Sequence, residues 1–260
     1  MSASEPAAEP KWIQLGHPSY VWRFGQDRRL ALLRRWAPLE GKAILDVGCG
    51  IGTYVRKFQQ FSDDVHGVDI DEERVATAQE SLPNIEVAPG ERLPFPDGRF
   101  DVVFLHEVIE HVEDDRSTIR EAVRVLRDGG RVVIYAPNRL YPFETHGVYL
   151  GKRYVFGNIP LVGYLPDLLR AQVAPHVRAY THAGIERLFD GLPIRVVVHT
   201  YVYPGFDNIV ARHRVLGFLL RRFFYPAERT PLRRLGLSHF LVAQKLAGQA
   251  RAPKARSPIS

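Results

Sequence analysis

The segment at 43–55, AILDVGCGIGTYV, combines a carboxylate with three glycines at every second position. Asp46 comes two residues before Gly48, and Gly50 and Gly52 follow. Glycines after a buried strand let the backbone turn tightly and approach a ligand, which the N–H groups at the start of the next helix then face. A carboxylate in front of this loop would repel a pyrophosphate. The segment therefore favours a cationic ligand such as S-adenosylmethionine, which carries an ammonium group, a sulfonium and no phosphate.

A second acid, Asp69, ends the next apolar run, in the segment HGVDI. An acid at the end of the second strand of such a fold can accept hydrogen bonds from both ribose hydroxyls of an adenosine. NAD-binding proteins make the same contact, so Asp69 alone does not separate the two cofactors. The preference for S-adenosylmethionine depends on Asp46 and on the G-x-G-x-G spacing.

Strand and helix patterns alternate five times before residue 138. Buried strands are predicted at KAILDVGC, DVHGVDI, NIEVA, RFDVVFLHEV and RVVIYAPN. Helices are predicted at 28–38, 50–61, DEERVATAQESL and STIREAVRVLRDGG. This alternation predicts an α/β fold in which helices cover both faces of a parallel sheet. Two later strands are predicted at PIRVVVHTYVY and HFLVAQKL.

Four segments together resemble the class I S-adenosylmethionine-dependent methyltransferases, in the broad small-molecule branch that includes the type 11 enzymes. LDVGCGIGTY, GVDI, ERLPFPDGRFDVVFLHEVIEHVED and VRVLRDGGRVVIYAPN match that family in order and spacing. The resemblance covers 41–138 and returns weakly at YTHAGIERLFDGLPIRVVV. It implies a Rossmann-like, doubly wound sheet of seven strands with the last strand antiparallel, a place that HFLVAQK fits.

The resemblance also implies a cofactor site. Asp46 and the first glycines would hold the methionine end, Asp69 the ribose, and Ile70 the adenine ring. His106, after the fourth strand, would line the methyl-transfer pocket. The full set of expected cofactor-binding residues is Asp46, Gly48, Cys49, Gly50, Asp69, Ile70, Gly90, Glu91 and His106.

The chain departs from the family pattern at the expected adenine contact. Many relatives have G-D-A before LPF, and the aspartate accepts from the adenine amino group. Here the segment reads APGERLPF, so Pro89 occupies that position. The backbone of Gly90 or the side chain of Glu91 is expected to take over the contact. We expect the Cys49 side chain to face the packed side of its loop and not to act as a nucleophile.

Two groups of side chains could assist transfer of a methyl group to a hydroxyl. In HEVIEHV, Glu107, Glu110 and His111 are spaced i, i+3 and i+4, so they would share one face of a helical turn. Such a set could bind a divalent metal that acidifies a hydroxyl. The pattern resembles the E-x-x-E-H of ubiquinone-pathway O-methyltransferases and small-RNA 2′-O-methyltransferases. Many relatives nevertheless carry E-H-V without a metal, and we favour His111 as a structural or pocket-wall residue.

The second group, Glu144 and His146, follows the fifth strand, on the rim where open α/β sheets bind ligands. His146 could be a general base or a fourth metal ligand, and local hydrogen bonding of both residues is the alternative. His176, His182 and His199 are interpreted as structural. The candidate catalytic residues are His111, His146 and Glu144, and no metal is assigned.

The domain prediction comprises a disordered leader and N-terminal segment at 1–27, a methyltransferase domain at 28–246 and a disordered basic tail at 247–260. Two insertions, at about 138–180 and 204–237, interrupt the domain. Irregular segments of this length usually form lids or binding surfaces.

The insertions are expected to select the acceptor. The first is rich in aromatic residues with Gly and Pro, which suits a lid over an apolar or planar substrate. The second alternates arginine pairs with Leu and Phe over 211–235, which is typical of a helix lying in a membrane interface. Core packing with snorkelling arginines, or a dimer contact, would give the same pattern.

The composition of the chain limits which classes of partner and site it can have. The 260 residues carry a formal net charge of +6, which favours phosphate-rich partners, but no RNA-binding module is recognisable and nucleic acid is disfavoured. Cys49 is the single cysteine, so neither a disulfide framework nor a cysteine zinc site is expected. The polar N-terminus does not read as a signal peptide, so we expect a cytoplasmic protein, with peripheral membrane contact left open.

These observations favour an S-adenosylmethionine-dependent O-methyltransferase that acts by direct displacement on a hydrophobic or lipid-linked small molecule. A noncatalytic cofactor-binding protein and an NAD-dependent oxidoreductase are the alternatives. The sequence does not identify the acceptor or the oligomeric state.

Overall fold

The computed structural model describes residues 23–247 and centres on a seven-stranded sheet with the order β3-β2-β1-β4-β5-β11-β10. Strands β1 to β5 pair in parallel, and β11 is antiparallel to both of its neighbours. The predicted Rossmann-like sheet with an antiparallel last strand is confirmed. The seven strands are β1 (Ile44–Val47), β2 (Val65–Asp69), β3 (Ile85–Val87), β4 (Phe100–His106), β5 (Leu126–Pro137), β10 (Ile194–Val202) and β11 (Ser238–Lys245).

Side chains of the central strands alternate between two hydrophobic cores, one on each face of the sheet. In β4, Val103 and Leu105 pack in one core, and Val102 and Phe104 pack in the other. Because both faces are covered, the sheet is doubly wound, as predicted. The covering helices are α1 (Phe24–Trp36), α2 (Thr53–Phe58), α3 (Glu72–Gln79), α4 (Asp115–Val125) and α6 (His182–Glu186), with the short 3₁₀ helix η2 (Arg187–Phe189).

Several helix boundaries differ from the sequence prediction, and tertiary contacts account for two of these differences. Helix α1 begins at Phe24 rather than at residue 28, because the Gly25 N–H donates to Asp207 in the second insertion at 3.1 Å. Helix α4 ends at Val125 rather than at the glycines, because Leu126 is fully buried and pairs with Phe100 at the start of β5. Sequence periodicity reports neither of these tertiary contacts.

The first insertion folds around a small core of its own. Val148, Val162, Ala174 and Val177 are buried together, apart from the two cores of the sheet. The segment that sequence patterns leave unassigned is therefore a folded unit. Its elements are β6 (Phe143–Glu144), β7 (Val148–Leu150), β8 (Arg153–Val155), β9 (Ile159–Pro160), η1 (Val162–Tyr164) and α5 (Asp167–Val173).

The second insertion consists of α7 (Asp207–Arg212), α8 (Arg214–Ala227) and η3 (Pro231–Leu235). Helix α8 packs one edge on α1, where the Arg28 guanidinium lies 3.5 Å from the Tyr225 ring centroid. Helix α8 also exposes large apolar side chains, among them Val215, Phe218 and Phe223.

Parts of the predicted leader and tail, residues 1–22 and 248–260, lie outside the described residues. Over residues 23–247, no helix combines the length and the apolar content needed to cross a membrane. The division of the chain into leader, domain and tail stays a prediction.

Candidate active site

The glycine loop after β1 has the backbone conformation that its sequence predicts. Gly48, Gly50 and Gly52 have φ values of +72°, +54° and +78°, in the left-handed region that favours glycine. A Cβ at residue 48 would collide with Val108, whereas a Cβ at residue 50 would meet no atom within 4 Å. The loop is thus packed on one side and open to a ligand on the other.

Asp46 is buried at the start of this loop, and its Oδ2 has no hydrogen-bond partner. Burial, and then the nearby charge of Asp69, raise the pKa of Asp46 well above its ordinary value. An unpaired buried carboxyl is costly unless a cation or a hydrogen-bond donor reaches it. The site therefore fits a ligand that brings positive charge.

Asp69 closes the same site from the end of β2. Its Oδ2 accepts from the Gly50 N–H at 2.7 Å, and its Oδ1 accepts from the Asp71 N–H at 3.0 Å. Each carboxylate oxygen can accept a second hydrogen bond, so the carboxylate can still bind two ribose hydroxyls. Next to it, Ile70 is 72% exposed and offers an apolar surface to an adenine ring. These residues together fit S-adenosylmethionine.

The residues expected to recognise adenine are partly engaged within the protein. Glu91 Oε1 accepts from the Glu113 and Asp114 N–H groups, at 2.9 Å and 3.2 Å, and so braces the start of α4. Gly90 is half-buried, and a Cβ there would lie 3.0 Å from Thr118 on α4. Their contact with adenine stays a prediction.

Cys49 packs beneath the loop rather than over its open side. A Cβ on Gly67 would lie 2.8 Å from the thiol, and burial raises the pKa of Cys49. The thiol therefore lies on the packed side of the loop, and the main chain of Cys49 remains for a cofactor contact. That Cys49 does not act as a nucleophile stays a prediction.

The segment 107–113 forms turns rather than a helix, so the expected common face of Glu107, Glu110 and His111 is wrong. Glu107 has a φ of +55°, a left-handed conformation that is uncommon outside glycine. Its carboxylate accepts from Arg29 Nη1 at 2.9 Å and from Ser238 Oγ at 2.7 Å. Glu107 thus pairs with Arg29 and Ser238 while its carboxylate still lies close to that of Glu110.

Arg29 holds a buried polar network that sequence reasoning missed. Besides Glu107, its guanidinium contacts His106 Nε2 at 2.7 Å and Ser238 Oγ at 3.0 Å. Burial, with the charge of Arg29, lowers the pKa of His106 to about 3, so the imidazole is neutral. Burial alone would raise the pKa of Glu107, but Arg29 and its other partners lower it to about 2. Glu107 is therefore ionised, and α1 closes over His106.

Glu110 is 1% exposed, and neither of its carboxyl oxygens has a hydrogen-bond partner. Burial, and then the charge of Glu107, raise the pKa of Glu110 well above its usual range. Of these two acids, Glu107 is therefore ionised and Glu110 is protonated.

The structure brings together the three candidate catalytic residues. The rings of His111 and His146 lie 5.3 Å apart, and Glu144 Oε1 lies 3.1 Å from His146 Nδ1. Burial tends to raise the pKa of Glu144, but its bonds to His146 and its pairing with Arg170 lower it to about 2. His146 Nδ1 therefore donates to an ionised carboxylate, which leaves a lone pair on Nε2.

Arg170 fixes the orientation of this pair and was also missed from sequence. It is 8% exposed, contacts Glu144 Oε2 at 3.0 Å and donates to the Val177 carbonyl at 2.9 Å. No periodic pattern marks α5, so the sequence carried no signal for this contact. The donor atoms of Glu110, His111 and His146 lie within 4.8 Å of one another, so these three could also hold a metal ion.

The sheet order and the acid-guarded glycine loop define a Rossmann-like protein suited to S-adenosylmethionine, and comparisons agree. Residues 45–134 match a family described as a methyltransferase domain. A ubiquinone biosynthesis O-methyltransferase of Aromatoleum aromaticum is 31% identical over 167 residues, which cover 61% of this chain and 70% of that protein. The chain belongs to the class I S-adenosylmethionine-dependent methyltransferases.

Other relatives match over shorter stretches. A probable S-adenosylmethionine-dependent methyltransferase of Mycolicibacterium smegmatis is 36% identical over 102 residues, 38% of this chain. The chain spans less than half the length of such curated relatives, 40% in this case. A crystal structure of an S-adenosylmethionine-dependent methyltransferase from Mesorhizobium loti shares the fold, with a TM-score of 0.57, 20% identity, and coverage of 83% of this chain and 96% of that one.

Proposed function

We propose that this protein transfers the methyl group of S-adenosylmethionine to a hydroxyl of a hydrophobic or lipid-linked small molecule. The observation that carries the proposal is the Glu144–His146 pair, which lies beside His111 on the rim of the sheet. O-methyltransferases are among the relatives, and so is a norajmaline N-methyltransferase of Rauvolfia serpentina, which is 38% identical over 112 residues covering 39% of this chain and 38% of that protein. A hydroxyl needs a base more than an amine does, because it must lose its proton as the new bond forms.

When bound, S-adenosylmethionine supplies a methyl group already activated on a sulfonium. The protein then mainly has to align the acceptor oxygen with that methyl group. Asp46 holds the ammonium end, Asp69 the ribose hydroxyls and Ile70 the adenine face. The turn after β4 meets the glycine loop where Val108 packs on Gly48. This contact links the cofactor loop to His111 and the acceptor side.

His146 is the proposed base. Its Nε2 takes the proton of the acceptor hydroxyl, while its Nδ1–H stays bonded to Glu144. The low pKa of Glu144 makes that carboxylate a positioning group rather than a second base. His111 forms the wall of the acceptor pocket beside His146. A metal on Glu110, His111 and His146 would require Glu110 to lose its proton, and the proposed reaction does not need one.

Two binding titrations and one transfer assay test the assignment against its alternatives. Calorimetry should detect binding of S-adenosylmethionine and no binding of NAD. The reverse result would indicate an oxidoreductase. The purified protein should also move a labelled methyl group from S-adenosylmethionine into the lipid-soluble fraction of a cell extract. Cofactor binding without any labelled product would indicate the noncatalytic alternative.

Asp69→Ala should weaken S-adenosylmethionine binding by roughly 1–3 kcal/mol, because buried ribose hydroxyls would lose a charged acceptor. Isothermal titration calorimetry measures the change. The matched control is Asp63→Ala, an exposed aspartate before β2, which should bind as the wild type does. Equal affinity of Asp69→Ala and wild type would place the ribose elsewhere.

Exposed apolar side chains on α8 support an acceptor that resides in or near a membrane. Val215, Phe218 and Phe223 are 74%, 63% and 64% exposed, and Arg222 is exposed beside them. Exposed aromatic side chains flanked by arginines suit an interface with anionic lipid. The predicted membrane contact at 211–235 therefore remains our proposal.

The full-length protein should co-sediment with phosphatidylglycerol vesicles at low salt and be released by high salt. A Phe218→Ser/Phe223→Ser variant should bind at least about tenfold less, because each ring would lose part of the roughly 1.5–3 kcal/mol that its burial provides. Leu168→Ser, on α5, is the control, since Leu168 is equally exposed at 82% but lies in the other insertion. Failure of the wild type to bind, or equal binding of the double variant, would contradict the proposal.

A further inference from the structure

A groove lined by arginines lies at the end of the second insertion, along the turn that contains η3. Its volume is about 470 Å³. The residues that line it are all exposed, and they are Arg229, Thr230, Pro231, Arg233 and Arg234. Three guanidinium groups on one concave surface produce a positive potential that attracts anions.

Within residues 23–247, no acidic side chain forms an ion pair with any of these three arginines. The second insertion contains two acids, and both bind other arginines. Asp207 Oδ1 lies 3.0 Å from Arg221 Nη2, and Glu228 Oε2 lies 2.8 Å from Arg28 Nη2. The groove therefore carries a positive charge that a bound anion can neutralise.

Hydrogen bonds hold the backbone that carries the three arginines. Thr230 Oγ1 accepts from the Leu232 N–H at 3.2 Å and donates to the Ala227 carbonyl at 2.8 Å. The buried side-chain amide of Asn138 donates to the Arg234 carbonyl at 2.8 Å. Because the turn is already ordered, less conformational entropy is lost when its side chains close on a ligand.

Both insertions leave the sheet at the end that carries the candidate active site. The first insertion, which contains His146, follows Pro137 at the end of β5. Ser238, the first residue of β11, pairs with Pro137 on one side and with Val202, the last residue of β10, on the other. The second insertion connects these strand ends, and Asn138 binds it to the start of the first insertion. A ligand in the groove is therefore at the same end of the sheet as the candidate base.

We propose that Arg229, Arg233 and Arg234 bind a phosphate or diphosphate group carried by the methyl acceptor. This inference rests on the proposed function and narrows the acceptor to a phosphorylated, lipid-linked molecule. A planar guanidinium group can donate two parallel N–H groups to two phosphate oxygens. Helix α8 ends at Ala227, just before the groove, and its exposed apolar side chains offer a surface to the hydrocarbon part of such a molecule.

The lining of the groove favours a small phosphorylated acceptor over a nucleic acid. Proteins that bind single strands stack the bases on aromatic side chains. The groove is lined only by arginines, a threonine and a proline, so bases would find no aromatic ring in it.

The test is the binding of inorganic pyrophosphate to the tag-free, full-length protein, measured by calorimetry at low salt without S-adenosylmethionine. Arg233→Gln/Arg234→Gln should bind at least about tenfold more weakly, because two guanidinium groups no longer pair with the anion. The matched control is Arg212→Gln/Arg214→Gln, which removes the same charge from exposed arginines elsewhere in the second insertion and should bind as the wild type does.

Pyrophosphate should also inhibit labelled methyl transfer into a lipid extract. More lipid extract should relieve this inhibition, whereas more S-adenosylmethionine should not. Inhibition that lipid extract does not relieve would assign the groove to a free phosphate compound and overturn the acceptor role.

Absence of pyrophosphate binding, or equal weakening in the two double variants, would overturn the proposal. So would tighter binding of a single-stranded oligonucleotide that depends on Arg233 and Arg234. Failure of the proposed function gives a different result. In that case pyrophosphate binding would still depend on Arg233 and Arg234, but the wild type would transfer no methyl group, and the groove would be an anion site without a role in methyl transfer.

Discussion

His146→Ala should lower kcat for methyl transfer by roughly 10²–10⁴-fold, the usual contribution of a positioned general base. Affinity for S-adenosylmethionine should change little, because His146 lies on the acceptor side of the glycine loop. The expected loss comes from the Nε2 lone pair, which Glu144 and Arg170 hold in place (His146 Nδ1 to Glu144 at 3.1 Å, Arg170 to Glu144 at 3.0 Å). Labelled transfer into a lipid extract measures kcat, and calorimetry measures cofactor binding.

His176→Gln is the matched control, because His176 lies in the same insertion and its Nε2 contacts only the His146 carbonyl, at 3.1 Å. This variant should retain most of the activity, which would show that the insertion still folds. Normal turnover of His146→Ala would remove the base from the proposal. Loss of wild-type turnover in EDTA, reversed by added magnesium, would instead make His146 a metal ligand together with Glu110 and His111.

Arg29→Met should lower the free energy of unfolding by roughly 3–5 kcal/mol, since removing one partner of a buried ion pair leaves the other charge uncompensated. The group left without a partner of opposite charge would be Glu107, which lies close to the buried Glu110. Urea denaturation at neutral pH, followed by circular dichroism, measures the loss. Arg34→Met is the control, because Arg34 pairs with Glu40 at 2.7 Å on the surface, with side-chain exposures of 44% and 59%, where an ion pair contributes about 0–1 kcal/mol.

The stability difference between Arg29→Met and wild type should depend on pH. In the wild type the pKa of Glu107 is about 2, below its ordinary value. This pair therefore stabilises the fold above the unfolded-state pKa and loses that effect as the pH falls toward 2. In the variant the unpaired carboxyl favours a proton, so acid relieves its destabilisation. The two unfolding free energies should converge as the pH falls. A constant difference, or equal losses for Arg34→Met and Arg29→Met, would refute this account.

The sheet was predictable because its signals are local. Apolar runs, the left-handed glycines after β1 and the alternation of strand with helix each depend on neighbouring residues. The turn at 107–113 was not predictable, because the i, i+3, i+4 spacing suggests a helix. Only contacts with residues far away in the sequence prevent that helix. Arg29 and Ser238, which hold Glu107, lie 78 and 131 residues away from it in the chain.

The candidate site was predictable in its parts but not in its assembly. His111 and His146 each carry a recognisable local signal, yet their proximity depends on how the first insertion folds. The contact between His199 and Glu186 shows the same limit, because it joins β10 to α6, two elements that are separate in the sequence.

The separate small core of the first insertion has an evolutionary consequence. Its ends meet, since Asn138 and Tyr180 form a bridge and the Tyr180 N–H donates to Pro137 at 2.9 Å. Apart from Glu144 and His146, the segment between these two residues can be lengthened, shortened or replaced while β5 and the glycine loop stay in place. Acceptor specificity can thus change during evolution while binding of the methyl donor is preserved.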